Sequence, residues 1–136
     1  MSFGWGVSNI VAISQLAVQV YTAYKDAPDD YKHISEEVKS LEIIINKALH
    51  HFESTTLNDN DRKEGQEVLK GCHSVLRDLN SLIEKYNGLA TSNKRDFFKR
   101  IKLGTEDIGT LRLRLGTNTT LLSSFIRRFN ISTITI

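Results

Sequence analysis

The chain opens MSFGWGVSNIVAISQLAVQVYTAY, residues 1–24, and none of these side chains carries a charge. All 18 Lys and Arg and all 16 Asp and Glu fall at or after Lys25. Within the block, Ile10, Ile13, Leu16 or Ala17, Val20 and Tyr24 recur at three- and four-residue steps, the period of one face of an α-helix. Val11 and Val18 widen that stripe. The spacing predicts a helix over 8–24, N-capped by Ser8, apolar over much of its circumference and central in a bundle. A helix without charge has two fates, burial in a core or transfer to another apolar phase. As a membrane span it is short: the apolar part, Ile10 to Tyr24, falls below the ~20 residues a span needs and contains Gln15 and Gln19.

Working outward, Lys25-Asp-Ala-Pro-Asp-Asp30 reads as a turn. Pro28 suits a first helical turn, and Asp29 and Asp30 suit the positive end of the next helix. That helix is predicted to reach Phe52, with Ile34, Val38, Leu41, Ile45, Ala48 and Phe52 as its packing seam. Residues 53–60 read as a polar connection. A third helix is predicted over 61–86 on Val68 or Leu69, Cys72, Val75 or Leu76, Leu79, Leu82 or Ile83 and Tyr86, with Asn87-Gly88 as its stop.

The pattern continues through Phe97, Ile101, Ile108, Leu111, Leu115, Leu122, Phe125 and Phe129. One unbroken helix there would be ~50 Å long, several turns longer than its partners. A break is therefore expected at Gly104-Thr105, with Thr105 capping the last helix. Gly116-Thr-Asn-Thr-Thr120 is poor helix material, expected to bend or fray it. Asn130-Ile-Ser-Thr-Ile-Thr-Ile136 is β-branched and uncharged, and reads as a non-helical tail or truncated linker. The expected fold is all-α, an antiparallel helical bundle of four to five helices over residues 1–129, followed by the tail 130–136.

The 136 residues, 40% of them apolar, suffice for one domain with one core. The lone Cys72 excludes an intramolecular disulfide and fits a reducing compartment. The block lacks a basic n-region and cleavage site, so it does not read as a secretory signal. Phosphate-binding loops, nucleophile elbows and His-Glu-x-x-His pairs are absent. His50-His51 and Cys72-His73 are adjacent pairs, pointing about 100° apart on a helix, which is no chelating face. The carboxylates sit beside lysines or at helix starts, as solvated faces and dipole partners do. No catalytic, cofactor or metal site is expected, and no enzyme activity.

The charge is unevenly spread. Residues 25–93 carry 9 Lys or Arg against 13 Asp or Glu, and residues 94–136 carry 9 against 3. The basic cluster is Lys94, Arg95, Lys99, Arg100 and Lys102, followed by Arg112, Arg114, Arg127 and Arg128. It reads either as a solvated helix face or as a surface for anionic membrane lipid or an acidic protein. Nucleic acid is the weaker reading, since no helix-turn-helix signature accompanies it.

Several segments resemble one family. Ser2-Phe-Gly-Trp-Gly-Val-Ser-Asn-Ile10, Lys25-Asp-Ala-Pro-Asp-Asp-Tyr-Lys-His-Ile-Ser-Glu-Glu-Val38, Gly71-Cys72 with Leu76 and Leu79, Lys85-Tyr86, and Glu106-Asp-Ile108 with Asn118-Thr-Thr-Leu-Leu122 are similar to fungal HeLo-like domains. Such domains stand at the front of NOD-like (STAND) receptors and ankyrin-repeat proteins. The resemblance covers nearly the whole chain and implies a helical bundle that executes or relays regulated cell death. It implies a cytoplasmic protein that moves to the plasma membrane on activation.

Two functions are expected from this. In the first, the domain is a cell-death effector: it oligomerises, and a segment bearing Phe3, Trp5, Ile10, Ile13, Leu16 and Val20 enters the membrane. Lys94, Arg95, Lys99, Arg100 and Lys102 hold it to anionic lipid. In the second, it is an adaptor or oligomerisation module that binds its own copies or other helical domains and never enters a membrane.

Overall fold

A computed structural model of the chain describes residues 6–26, 29–54, 56–88 and 108–134. Four helices form among them: α1, Val7–Tyr24; α2, Asp29–Ser54; α3, Asp59–Gly88; and α4, Ile108–Ile134. The described residues contain no strand, and the fold is an all-α bundle. The predicted break at Gly104-Thr105 and the helical pattern from Phe97 lie outside the described residues.

The cap of α1 is Gly6, not Ser8. Gly6 is extended (φ −126°, ψ −169°), and its N–H donates to Asn9 Oδ1 at 3.0 Å. Asn9, three residues past the cap, reaches back as the N3 residue of a capping box does. Ser8 therefore lies within the first turn. The helix buries Ile10, Ile13, Ala17, Val20 and Tyr24, with Leu16, Tyr21 and Ala23 partly buried beside them. The expectation that this helix is central in the bundle is corrected, because Val18 on its outer side is 48% exposed. The reason is geometric: α1 is one wall of a four-helix ring, and a wall buries one stripe.

The helices in close contact are α1 with α2 and α3, and α4 with α2 and α3. Cross-helix contacts set the directions. Ser14 meets Asn46 and Tyr21 meets Lys39, so α1 and α2 are antiparallel. Arg114 meets Asp78 and Arg128 meets Glu64, so α3 and α4 are antiparallel. Glu37 meets Arg112, while Lys47 and Ile126 line one hollow, so α2 and α4 run parallel. Consecutive helices alternate up and down, and α1 lies diagonally across from α4.

The predicted seam of α2 is the observed one: Ile34, Val38, Leu41, Ile45 and Ala48 are fully buried and Phe52 packs at its edge. On α3 the buried residues are Leu69, Cys72, Val75, Leu76, Leu79 and Leu82. The α2–α3 connection is not wholly polar, because Leu57 is 7% exposed and joins the core. Beside it Asn58 caps α3, accepting the Asp61 N–H on Oδ1 at 2.8 Å. That cap starts α3 two residues before the predicted Asp61.

The fraying expected at 116–120 and the non-helical character expected of 130–136 are overturned for α4. The helix runs unbroken through Gly116–Thr120. There Asn118 Nδ2 donates to Arg114 O at 2.8 Å and Thr119 Oγ1 to Leu115 O at 2.7 Å, so side chains that compete with helix elsewhere are bonded along this one. The helix also continues into the supposed tail, to Ile134. Once a long helix exists, each added residue gains a bond without a new nucleation cost, and this outweighs weak β-branched preference.

Candidate functional site

Three of the four arginines of α4 are directed to its neighbours. Arg112 Nη2 and Nε lie 2.6 and 3.1 Å from Glu37 Oε1 on α2. Arg114 donates to Asp78 Oδ2 at 2.7 Å and to Ser74 Oγ at 3.2 Å on α3. Arg128 reaches Glu64 Oε2 at 2.7 Å and Asp61 Oδ1 at 3.7 Å. The basic excess of the last third is thus partly matched inside the bundle, and these three arginines do not form a separate cationic surface. Lys94, Arg95, Lys99, Arg100 and Lys102 lie outside the described residues.

Helix α1 is bound differently. Having no charge, it makes no ion pair. Its links to the bundle are apolar packing, Ser14 Oγ to Asn46 Oδ1 at 3.1 Å, Gln19 Nε2 to Asn80 Oδ1 at 3.1 Å, and the Tyr24 hydroxyl donating to Leu79 O at 3.0 Å. Lys39 adds a cation over the Tyr21 ring at 5.5 Å. On the opposite side of α1, Val7, Val11, Gln15, Val18 and Thr22 share one outward ridge at helical spacing. All but the half-buried Val11 are exposed. A solvent-facing helix ridge with no charge along its whole length is the feature of this surface that solubility does not explain, and charge is depleted at the centres of protein interfaces.

Of the residues assigned to membrane contact, Phe3 and Trp5 lie outside the described residues. Ile10, Ile13 and Val20 are in the core and Leu16 is half-buried. As folded, the bundle presents the other face of α1. Among the described residues no helix is long and apolar enough to cross a membrane.

Two of the segments singled out in the sequence, Gly71-Cys72 and Asn118-Thr-Thr-Leu-Leu122, come together at the α3–α4 seam. Gly71 packs against the Asn118 carboxamide, and Cys72 Sγ lies 3.8 Å from Asn118 O. Burial pushes the Cys72 thiol up to about 12, which leaves it without thiolate at neutral pH and unsuited to nucleophilic chemistry. No group of three or more His, Cys, Asp or Glu among the described residues could hold a metal.

A second exposed apolar feature escaped sequence reasoning. Leu113, 72% exposed, and Leu121, 50% exposed, flank Gly116, Thr117 and Thr120 on the outer side of α4 and line a shallow hollow. The signal was present, since neither leucine falls on the buried stripe of Leu111, Leu115, Leu122 and Phe125.

Comparison with protein-family models, with curated proteins and with solved structures found no match.

Proposed function

We propose that this chain is a helical signalling domain of the HeLo-like kind that works by docking on other helical domains, its own copies included, through the uncharged outward face of α1. The observation that carries this reading is the ridge of Val7, Val11, Gln15, Val18 and Thr22. Magnitudes favour docking over insertion. Fully burying an aliphatic side chain contributes about 1.5–3 kcal/mol, and α1 buries Ile10, Ile13, Ala17, Val20 and Tyr24. Withdrawing α1 through water therefore costs on the order of 10 kcal/mol, comparable with the whole stability of a domain, before any lipid takes up the same side chains. Docking on the outward ridge leaves that core in place.

A second reading has one observation in its favour. In it the domain is a cell-death effector that oligomerises, moves from the cytoplasm to the plasma membrane and releases α1 there. No ion pair has to break when α1 leaves, because the helix has none.

One experiment separates the two. Ser14→Cys with Asn46→Cys replaces a side-chain contact between α1 and α2, and oxidation would pin α1 into the bundle. Docking predicts full activity in a cell-death assay for the oxidised protein. Loss on oxidation with recovery on reduction rejects docking in favour of release. In parallel, Val18→Asp charges the ridge without touching the core and is expected to abolish association and signalling. A folded Val18→Asp protein with full activity ends the docking proposal.

A further inference from the structure

Arg127 differs from the other described arginines of α4. Arg112, Arg114 and Arg128 each meet a carboxylate on α2 or α3, while Arg127 meets none among the described residues and stands exposed. It lines a hollow of about 210 Å³ between α2 and α4 with Lys47 and Ser123, floored by Ile126. Lys47 is likewise exposed and has no carboxylate partner among the described residues. Across Ile126 a second hollow of about 400 Å³ opens, lined by Lys47 again and by His50 and His51. Among the described residues no carboxylate lines either hollow. Helix periodicity explains the convergence: Lys47, His50 and His51 follow three- and four-residue steps on α2, and Ser123 and Arg127 are four apart on α4.

His51, in the last turn of α2, also suits the negative end of that helix dipole. Lys47 lies two turns away from that end, and Arg127 belongs to the other helix, so the dipole accounts for neither. Two unmatched cations from neighbouring helices, with a hydroxyl beside them and imidazoles next door, make a basic, donor-rich recess. The guanidinium fork matches phosphate oxygens in pairs, and the ammonium adds a compact charge. The smaller hollow lies below the 300–1,000 Å³ typical of drug-sized ligands, which favours a single small group over a whole cofactor.

We infer that the α2–α4 groove around Ile126 binds a phosphate-bearing anion, with Lys47 and Arg127 as its principal contacts and Ser123 as a hydroxyl donor. The phosphate could belong to a soluble phosphoryl compound or to a phosphomonoester lipid headgroup, and the recess recognises what the two share. This site is separate from the outward ridge of α1, so it stands whichever way α1 acts.

The test uses the full chain with two ligands: inorganic pyrophosphate by titration calorimetry, and flotation with phosphatidylcholine vesicles with and without phosphatidic acid. The key variant is Lys47→Gln with Arg127→Gln. A charge-matched control is Lys63→Gln with Arg77→Gln, two exposed residues elsewhere. All four positions are exposed, and circular dichroism checks that each variant folds. The wild type is expected to bind at least one ligand. At about 1 kcal/mol per basic residue, the groove variant should lose roughly 30-fold in affinity while the control keeps it. Binding of pyrophosphate alone assigns a soluble ligand, and selective binding of phosphatidic acid vesicles assigns a lipid headgroup. If the wild type binds neither ligand, or groove and control variants lose affinity equally, the site does not exist as described.

Discussion

Gly71 and Asn118 leave no room between them: a Cβ built on Gly71 would overlap the Asn118 carboxamide oxygen. The same carboxamide is tied by its nitrogen to Arg114 O at 2.8 Å, so it cannot swing aside without breaking a bond. A glycine in mid-helix ordinarily weakens the helix; here it permits α3 and α4 to approach. Gly65 acts similarly, since a Cβ there would lie 2.8 Å from Phe125 Cζ and 2.9 Å from Phe52 Cζ.

Gly71→Ala is therefore expected to destabilise the bundle, although alanine is the better helix former by about 1 kcal/mol. Overpacking of this kind costs about 1–3 kcal/mol. Urea denaturation of Gly71→Ala, Asn118→Ala and the double variant forms a cycle in which Asn118→Ala relieves the alanine. A Gly71→Ala protein more stable than wild type would contradict the close approach.

The two faces of α1 should respond oppositely to truncation. Ile13→Ala removes a core side chain and is expected to cost about 2–5 kcal/mol. Val18→Ala, on the outward ridge, should change stability by no more than about 0.5 kcal/mol. Similar losses at both positions would mean that α1 is buried all round after all.

The arginine contacts of α4 are half-exposed, so each is worth little alone. Glu37→Ala or Arg112→Ala should each lower stability by about 0.2–1 kcal/mol, and salt should shrink the difference from wild type. A salt-independent loss above about 3 kcal/mol would show instead that the pair is desolvated in the native state.

Cys72 gives a pH signature. Its thiol is held near 12 by burial against an ordinary value of 9.0. The unfolded chain loses this proton first as pH rises, so the contribution is complete below about pH 9 and is lost as pH climbs towards 12. Cys72→Ala should flatten that part of the stability profile. Alkylation of the native wild type by iodoacetamide at neutral pH should proceed only as fast as the chain opens. Fast alkylation under native conditions would contradict the burial.

Periodicity made much of this fold readable. The stripes Ile10–Tyr24, Ile34–Ala48 and Leu69–Leu82 follow from side-chain spacing alone, because one face of each helix must leave water. Ends and exceptions were less legible. Ser8 has the better capping side chain, yet Gly6 caps because Asn9 bonds back to it. The run at 116–120 looks unhelical until Asn118 and Thr119 find carbonyls four residues earlier. Gly65 and Gly71 read as helix weaknesses, since nothing local tells which helix crosses them. The uneven charge was visible in the sequence, but the matching of Arg112, Arg114 and Arg128 to particular carboxylates depends on which helices are neighbours. The ridge of α1 was hidden by its composition: with no charge to mark the wet side, both faces looked suited to the core.

The uncharged attachment of α1 also fixes its temperature response. Apolar association draws its strength near room temperature from water entropy and fades on cooling. Helix α4 adds ion pairs to its packing, whereas α1 has apolar packing, a few neutral hydrogen bonds and the Lys39 contact over Tyr21. Chilling should therefore loosen the packing of α1, making cold a mild means of populating a state in which that helix is free.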